Sequence, residues 1–302
     1  MTAADVPCLT IPADGGTYLV VPQFPSASAA NNPVSYSLAA GNASTTARIV
    51  TAATRVLPPE TSPAGPESGA LQRQFDHALR ERERALGAEV KASGMARGPL
   101  ANRVQALVAA PPIGSTRSFQ VRKSLDSNPA YATDTATLKY AGSHLLIYVS
   151  TNAPAPPNGF TDSQISAFGN TFDLDLYAID VATFGQPTDI DGNGRVIVLI
   201  SPLVNKLTVA NTCQTQGYIA GFFDAPDLVP TESHSNDAEL FYALAPDPQG
   251  TYSCVHNVDA VGQITPSTFI HEMQHMISFG QHFLLRDGNE EDAWLNEGLS
   301  HI

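Results

Sequence analysis

Basic residues are scarce in this sequence. Lysine and arginine together number 16 among 302 residues, aspartate and glutamate number 29, and the formal net charge is −13 at pH 7. Nucleic acids and anionic membranes bind proteins through basic surfaces, so this charge balance argues against either partner. Charged residues of all kinds make up 15% of the chain, well below the usual ~25%. This acidic, low-charge composition favours a secreted protein.

Long apolar runs and a recognisable export signal are also missing. A membrane helix needs ~20 apolar residues, whereas the longest runs here, such as residues 196–200, have the length of a strand. Residues 1–5 have neither the basic start nor the apolar core of a signal peptide. The sequence therefore predicts a soluble protein, secreted by composition, whose signal peptide is not visible.

Cysteine is rare as well, and the three cysteines are Cys8, Cys213 and Cys254. No two of them have metal-ligand spacing. Cys213 and Cys254 fall in the same predicted domain and can pair, which would leave Cys8 unpaired. Three free thiols are the alternative.

The chain has eight histidines, and two of them flank a His-Glu-x-x-His pattern at residues 271–275. On an α-helix, His271 and His275 project from one face about one turn apart and can share a zinc ion at ~2.0–2.1 Å. Glu272 lies beside them, where a general base acts on zinc-activated water. Glu297 is the candidate third ligand, which leaves the fourth zinc position open. The alternative is a buried helix whose histidines bond to their neighbours, with Glu297 in an unrelated surface helix.

The residues around the pattern predict the ends of its helix. Thr265 and Pro266 read as an N-cap followed by proline at the first helical position. Gly280 reads as the C-terminal stop. Acidic residues at 290–292 predict the start of a second helix, which carries Glu297 in its early turns.

The segments at 271–277 (HEMQHMI) and 294–298 (WLNEG) resemble those of the gluzincin zinc metallopeptidases, most closely the hyicolysin-type family. The similarity extends over residues 115–302. It implies a zinc-dependent endopeptidase that acts on peptide or protein substrates. It also implies the zinc ligands His271, His275 and Glu297 and the general base Glu272.

The same resemblance leaves two roles open. Gluzincins stabilise the oxyanion with a tyrosine or histidine beyond the third ligand, and no residue before Ile302 matches it. We therefore expect a C-terminally truncated enzyme whose 302-residue fragment lacks part of the cleft and binds zinc weakly. His301 stands where related enzymes carry an aspartate that supports a ligand histidine. It is either such a supporting residue or a histidine on the helix surface.

A second pattern, at residues 189–195, has the features of a calcium loop. Asp189, Asp191 and Asn193 place oxygen ligands at alternate positions, and a sharp-turn glycine follows. Ile200 occupies position twelve, where an EF-hand carries a bidentate glutamate. The sequence thus predicts either a partial calcium loop or a plain turn leading into a buried strand.

Composition divides the chain into three parts. Residues 1–56 alternate short β-like stretches with Gly, Pro and Asn turns, and predict a small β-sandwich-like module. Residues 57–114 form a linker followed by an amphipathic helix. Residues 115–302 predict an α+β, zincin-like catalytic domain with a mixed sheet and an active-site helix.

The apolar face of the amphipathic helix consists of Leu71, Phe75, Leu79, Leu86 and Val90. The helix is either an inhibitory segment that covers the cleft or an inter-domain packing helix. In the following domain, strands are predicted at 118–121, 135–140, 145–149, 195–200, 218–223 and 240–244, with a helix at 162–182.

Two other functions are compatible with the sequence. The first is a secreted, non-catalytic binding protein on a zincin scaffold. The presence of Glu272 argues against it, because such a protein has no evident structural need for this residue. The second is a zinc aminopeptidase, since the Asn-Glu-Gly segment occurs in that family too. Such enzymes carry a Gly-rich, Glu-bearing amine-binding motif before the histidines, and nothing like it precedes His271.

Overall fold

The computed structural model describes residues 69–93, 109–126, 128–289 and 291–301. All of them belong to one compact unit, Ser62–Ile302, and a second unit covers Met1–Thr61. The predicted β-rich module at 1–56, and Cys8 with it, lies outside the described residues.

The described chain is α+β, which confirms the predicted fold class. Its strands are β1 (Thr116–Arg122), β2 (Tyr131–Ala141), β3 (Leu145–Ser150), β4 (Val196–Ser201), β5 (Gly221–Phe223) and β6 (Leu240–Leu244). Its helices are α1 (Ala70–Ser93), α2 (Asp162–Thr171), α3 (Tyr177–Phe184), α4 (Pro202–Asn205), α5 (Cys213–Gln216), α6 (Val258–Phe279) and α7 (Ala293–Leu299).

The six strands form one mixed sheet in the order β1-β2-β3-β4-β6-β5. The central strands β3, β4 and β6 are parallel, whereas β1, β2 and β5 pair antiparallel at the two sides. All six residues of β4 are buried, as expected of a continuous apolar run covered on both faces. The predicted strands are confirmed with shifted ends, and the stretch predicted from residue 218 pairs only from Gly221.

A side-chain amide occupies each edge of this sheet. At the start of β5, Gln72 Oε1 accepts from Ala220 N at 2.8 Å and Gln72 Nε2 donates to Gly221 O at 3.1 Å. On β1, Asn236 Oδ1 accepts from Gln120 N at 2.8 Å and Asn236 Nδ2 donates to Gln120 O at 2.9 Å. Asn236 thus makes the pair of hydrogen bonds that a residue of an antiparallel neighbouring strand would make, whereas Gln72 bonds the backbone of two consecutive residues.

The helix predicted at 162–182 is present as α2 and α3, joined by a π-helical turn at Phe172–Leu176. It begins with a capping box, because Thr161 and Gln164 each bond the backbone of the other. Among the described residues, no helix is long and apolar enough to cross a membrane.

Both predicted ends of the motif helix are wrong. α6 begins at Val258 after Asn257, so Pro266 lies inside it, where its ring removes one backbone donor. The Thr265 hydroxyl donates to Val261 O at 2.7 Å instead of capping the helix. Gly280 keeps a right-handed helical backbone and leads into a π-helical turn, Gly280–Leu285. A Cβ on Gly280 would meet Thr188 Cγ2 at 3.0 Å, so this glycine permits close packing and does not end the helix.

α1 belongs to the core of this unit. Its predicted apolar face is confirmed, because Phe75, Leu79, Leu86 and Val90 are all buried. Gly87 lets the helix approach Phe283, since a Cβ at residue 87 would lie 2.2 Å from the phenyl ring. α1 is therefore a core element of this unit, and both of its predicted roles stay predictions. Cys213 and Cys254 form a disulfide, in agreement with the first of the two cysteine alternatives.

Candidate metal centre

Three potential metal-binding atoms converge where α6 meets α7. The Nε2 atoms of His271 and His275 lie 3.1 Å apart. Glu297 Oε2 lies 3.7 Å from His271 Nε2 and 3.5 Å from His275 Nε2. Ligands at ~2.0–2.1 Å around a tetrahedral zinc are about 3.3–3.4 Å apart. The two nitrogens and one oxygen therefore have the spacing and the chemistry that a single zinc ion requires.

The position of this donor set follows from the packing of α6. The second half of the helix is almost wholly buried, and Phe269, Met273, Met276 and Ile277 anchor it in the core. The two histidines, four residues apart, then face the same side, toward α7. His275 is 1% exposed and the His271 side chain 15%, so the pair is shielded from bulk water on one side and accessible on the other.

Asn296, which precedes Glu297, fixes the tautomer of His275. Its amide nitrogen donates to Ser278 Oγ at 3.0 Å and to Glu291 Oε2 at 3.3 Å, which orients the amide. Its Oδ1 therefore faces His275 Nδ1, at 2.5 Å, and accepts a hydrogen bond from that nitrogen. Because Nδ1 carries the proton, the Nε2 lone pair is free to bind a metal.

The protonation states also suit metal binding. Burial and the neighbouring His275 lower the pKa of His271 to about 3, and burial and Arg80 lower the pKa of His275 to about 4. Both rings are thus neutral at pH 7, as metal ligands must be. Burial disfavours the charge of Glu297, but its contacts with His275 and Arg80 bring its pKa down to about 2.

Glu272 lies on the cleft side of α6 with a fixed orientation. Its Oε2 accepts a hydrogen bond from Phe223 N at 2.9 Å, at the end of β5. One of its carboxylate oxygens lies within 4.8 Å of ligand atoms of both histidines. Burial, followed by the charge of Asp76, raises the pKa of Glu272 well above its usual range. A raised pKa moves a carboxylate toward the range in which it exchanges protons near neutral pH.

The sequence interpretation missed the contribution of α1. Arg80 is 1% exposed and lies between Glu83, at 2.8 Å, and Glu297, at 3.8 Å. Burial opposes its charge, but Glu83 and then Glu297 raise the pKa of Arg80. Asp76, Arg80 and Glu83 are spaced i, i+4, i+7, so they share one face of α1. This face lies beside the apolar face that contains Phe75 and Leu79. That spacing was the available indication of a second buried face.

Asp76 is a fourth acidic group at this centre. It offers a carboxylate oxygen within 4.8 Å of ligand atoms of both His271 and Glu297. Burial, together with the charge of Glu297, raises its pKa to about 7. At neutral pH this carboxyl is therefore partly protonated and can donate as well as accept a hydrogen bond.

A cavity of about 690 Å³ opens next to these residues. Its walls come from the N-terminal turns of α1, from α3, from Ala220 and Gly221 at the sheet edge, from α6 and from the end of α7. His301 lines it, with its ring centroid 4.7 Å from that of His271. The predicted calcium loop, with Asp189, Asp191 and Asn193, does not line this cavity.

No family model matches the chain. The neutral metalloprotease ShpI of Staphylococcus hyicus is 32% identical over 167 residues, which are 55% of this chain and 34% of the relative. The chain thus spans about a third of the length of that curated relative. Together with an α+β fold that is compatible with a zincin-like metalloprotease domain, this similarity supports a metallopeptidase relationship for the matched part of the chain.

Proposed function

We propose that this protein is a zinc-dependent endopeptidase of the gluzincin type, most like the hyicolysin-type peptidases. His271, His275 and Glu297 hold the zinc ion, and Glu272 is the general base. The observation that carries the proposal is the convergence of the three ligand atoms, 3.1–3.7 Å apart, beside an oriented glutamate. Zinc, when bound, supplies a Lewis acid that activates water and polarises the scissile carbonyl.

The chain's own residues account for the proton transfers. Glu272 takes a proton from the attacking water and delivers it to the amine that leaves as the peptide bond breaks. The hydrogen bond from Phe223 N holds one carboxylate oxygen, so the other is available for the proton. Asn296 keeps His275 in the tautomer that offers Nε2, and Arg80 balances the charge of Glu297.

The sheet edge indicates the substrate class. β5 is an edge strand that lies against α6, since a Cβ on Gly221 would meet Thr268 Cγ2 at 2.4 Å. Extended peptides pair with such edges through main-chain hydrogen bonds. The substrate is therefore a peptide or protein in extended form, and it competes with Gln72 for Ala220 N and Gly221 O. The disulfide between Cys213 and Cys254 supports action in an oxidising, extracellular compartment.

An aminopeptidase is the second candidate. Asp76 and Asp180 both line the cavity and could receive a free α-amino group. The two activities are distinguished by comparing an N-acetylated peptide with its free-amine counterpart. Cleavage of internal bonds in the acetylated peptide supports the endopeptidase, and release of single residues from the free peptide alone supports the aminopeptidase.

The decisive experiment measures zinc content and casein hydrolysis for the full-length protein as wild type and as Glu272→Gln. We expect one zinc per chain in both proteins and a loss of turnover of at least about 10²-fold in the variant. Glu81→Gln, the same change at an exposed position of α1, is the control and should behave as the wild type. Zinc without hydrolysis in any of the proteins would favour a binding protein on a zincin scaffold. Absence of zinc would reject the ligand assignment.

A further inference from the structure

The loop that precedes β4 folds around its own acidic side chains. Asp189 Oδ1 accepts from Gly194 N at 2.9 Å, and Asp191 Oδ1 accepts from Asn193 N at 3.1 Å. Gly192 and Gly194 have φ angles of 73° and 66°, a region that favours glycine. Gly194 is the sixth residue counted from Asp189, which is where a calcium loop needs its sharp-turn glycine.

Glu239 reaches this loop from a neighbouring strand. It directly precedes β6, and its backbone oxygen accepts from Ile197 N at 2.6 Å, so it lies beside the start of β4. Its side chain is 1% exposed. One carboxylate oxygen, Oε1, accepts from Ile190 N at 2.8 Å. The other, Oε2, is buried without a hydrogen-bond partner. Burial raises the pKa of this carboxyl to about 7, although the nearby Thr188 hydroxyl acts in the opposite direction.

The three carboxylates crowd one small space. Asp189, Asp191 and Glu239 each offer an oxygen, and these oxygens all lie within 4.8 Å of one another. Like charges this close repel, and solvent does not stabilise the charge on the buried Glu239 oxygen. Arg117 Nη1 approaches Asp191 Oδ2 only to 3.8 Å, while its Nη2 donates to Asn236 O at 2.7 Å. This guanidinium therefore does not take the place of a cation between the three carboxylates.

We propose that Asp189, Asp191 and Glu239, with Asn193 completing the loop, bind a calcium ion. Position twelve of the loop is Ile200, which is buried in β4 and cannot bind calcium. Glu239 supplies the carboxylate that a glutamate at position twelve would supply. Hard oxygen ligands that include several carboxylates are what calcium selects. The site goes beyond the proposed peptidase function and does not depend on it, because none of its residues lines the cavity beside the proposed zinc ligands.

Calcium at this position would join two segments that are distant in sequence. The loop leads into β4, and Glu239 leads into β6, the strand that pairs with β4 in parallel. The ion would therefore tie together the starts of two central strands of the sheet. The consequence is a gain in thermal stability, and not a change in the chemistry at the cleft.

The test is a thermal melt of the full chain after removal of all metals and reloading with zinc alone. Calcium chloride at 10 mM should raise the Tm of the wild type by roughly 3–10 °C, for a site with a Kd of about 10⁻⁴–10⁻³ M. In Glu239→Gln the shift should disappear, whereas the Tm without calcium should equal or exceed that of the wild type because the repulsion is relieved. Asp191→Asn should also lose the shift.

Asp237→Asn is the matched control, since it removes an exposed carboxylate two residues from Glu239. It should retain the full calcium shift. A wild-type Tm that calcium does not move would overturn the proposal, and so would an equal shift in wild type and Glu239→Gln. An equal shift with magnesium chloride would overturn the assignment to calcium.

Discussion

Asn296 shows how much one side chain can decide at this centre. Its Oδ1 accepts from His275 Nδ1, while Ser278 and Glu291 hold its amide nitrogen. Asn296→Ala removes the orienting acceptor, so we expect zinc affinity to fall about 10–100-fold. Competition with a chromogenic zinc chelator, well below the Tm, measures this change. Asn289→Ala, the same truncation at an exposed position, should leave the affinity unchanged; an equal loss there would contradict the assigned role.

Asp180 predicts a pH dependence of stability. It is 2% exposed, its Oδ2 is buried without a hydrogen-bond partner, and burial raises its pKa to about 7. The folded chain thus holds a proton that the unfolded chain releases near the ordinary aspartate pKa of 3.8. This contribution to stability is complete below that value and is lost as the pH rises to about 7.

Asp180→Asn removes the titrating group. Relative to the wild type, the variant should gain up to about 4 kcal/mol in free energy of unfolding at pH 8 and little at pH 4. Urea unfolding at both pH values measures the difference. Asp175→Asn, on the exposed side of the same helical segment, should show no such pH-dependent gain. A gain of equal size at pH 4 and pH 8 would contradict the titration.

At the residue scale, the sequence predicted the site residues that follow a local helical spacing. It missed those that lie far away in sequence and reach the site only through folding. Helical spacing placed His271 and His275 on one face with Glu272 beside them, and the structure brings Glu297 to the two histidines. Arg80 lies 216 residues before Asn296, with which it makes a contact of 3.4 Å. No local spacing rule connects two such positions, so only the folded chain reveals them.

At the scale of elements, α1 is held to the candidate centre by a buried charge. Arg80 lies between Glu83 and Glu297. Arg80→Met keeps much of the side-chain volume but leaves both carboxylates without this partner, which should cost about 3–5 kcal/mol of stability. Urea unfolding measures the loss, and Arg84→Met on the exposed face is the control. A cost equal to that of the control would mean that the pair contributes no net stability.

The ends of α6 show why element boundaries are harder to predict than the elements. Thr265 and Pro266 carry the local features of a helix start, yet the chain upstream packs well enough as a helix to begin at Val258. The cost of a proline inside the helix is outweighed by burial of residues around it, such as Val261 and Phe269. The prediction that Gly280 ends the helix relied on the conformational freedom of glycine. Its role in the structure is to permit close packing against Thr188.

At the scale of the whole molecule, the disulfide closes a long loop. Cys213 and Cys254 are separated by 41 residues in sequence. By loop-closure entropy, removing the bond should cost at most about 4 kcal/mol. The double variant Cys213→Ala/Cys254→Ala should therefore melt several degrees lower, and Cys8→Ala serves as the control. Equal melting of the double variant and the wild type would show that the bond constrains nothing in the unfolded chain.

The two amides at the sheet edges have a consequence for the behaviour of the molecule in concentrated solution. Unpaired edge strands invite a second copy of the same chain to add its own strand, which is a common route to aggregation. Gln72 covers the exposed main-chain groups at β5, and Asn236 covers those of Gln120 on β1. A strand from a second copy would have to displace these amides, so Gln72, with which an extended substrate competes at the cleft, also discourages fibre growth.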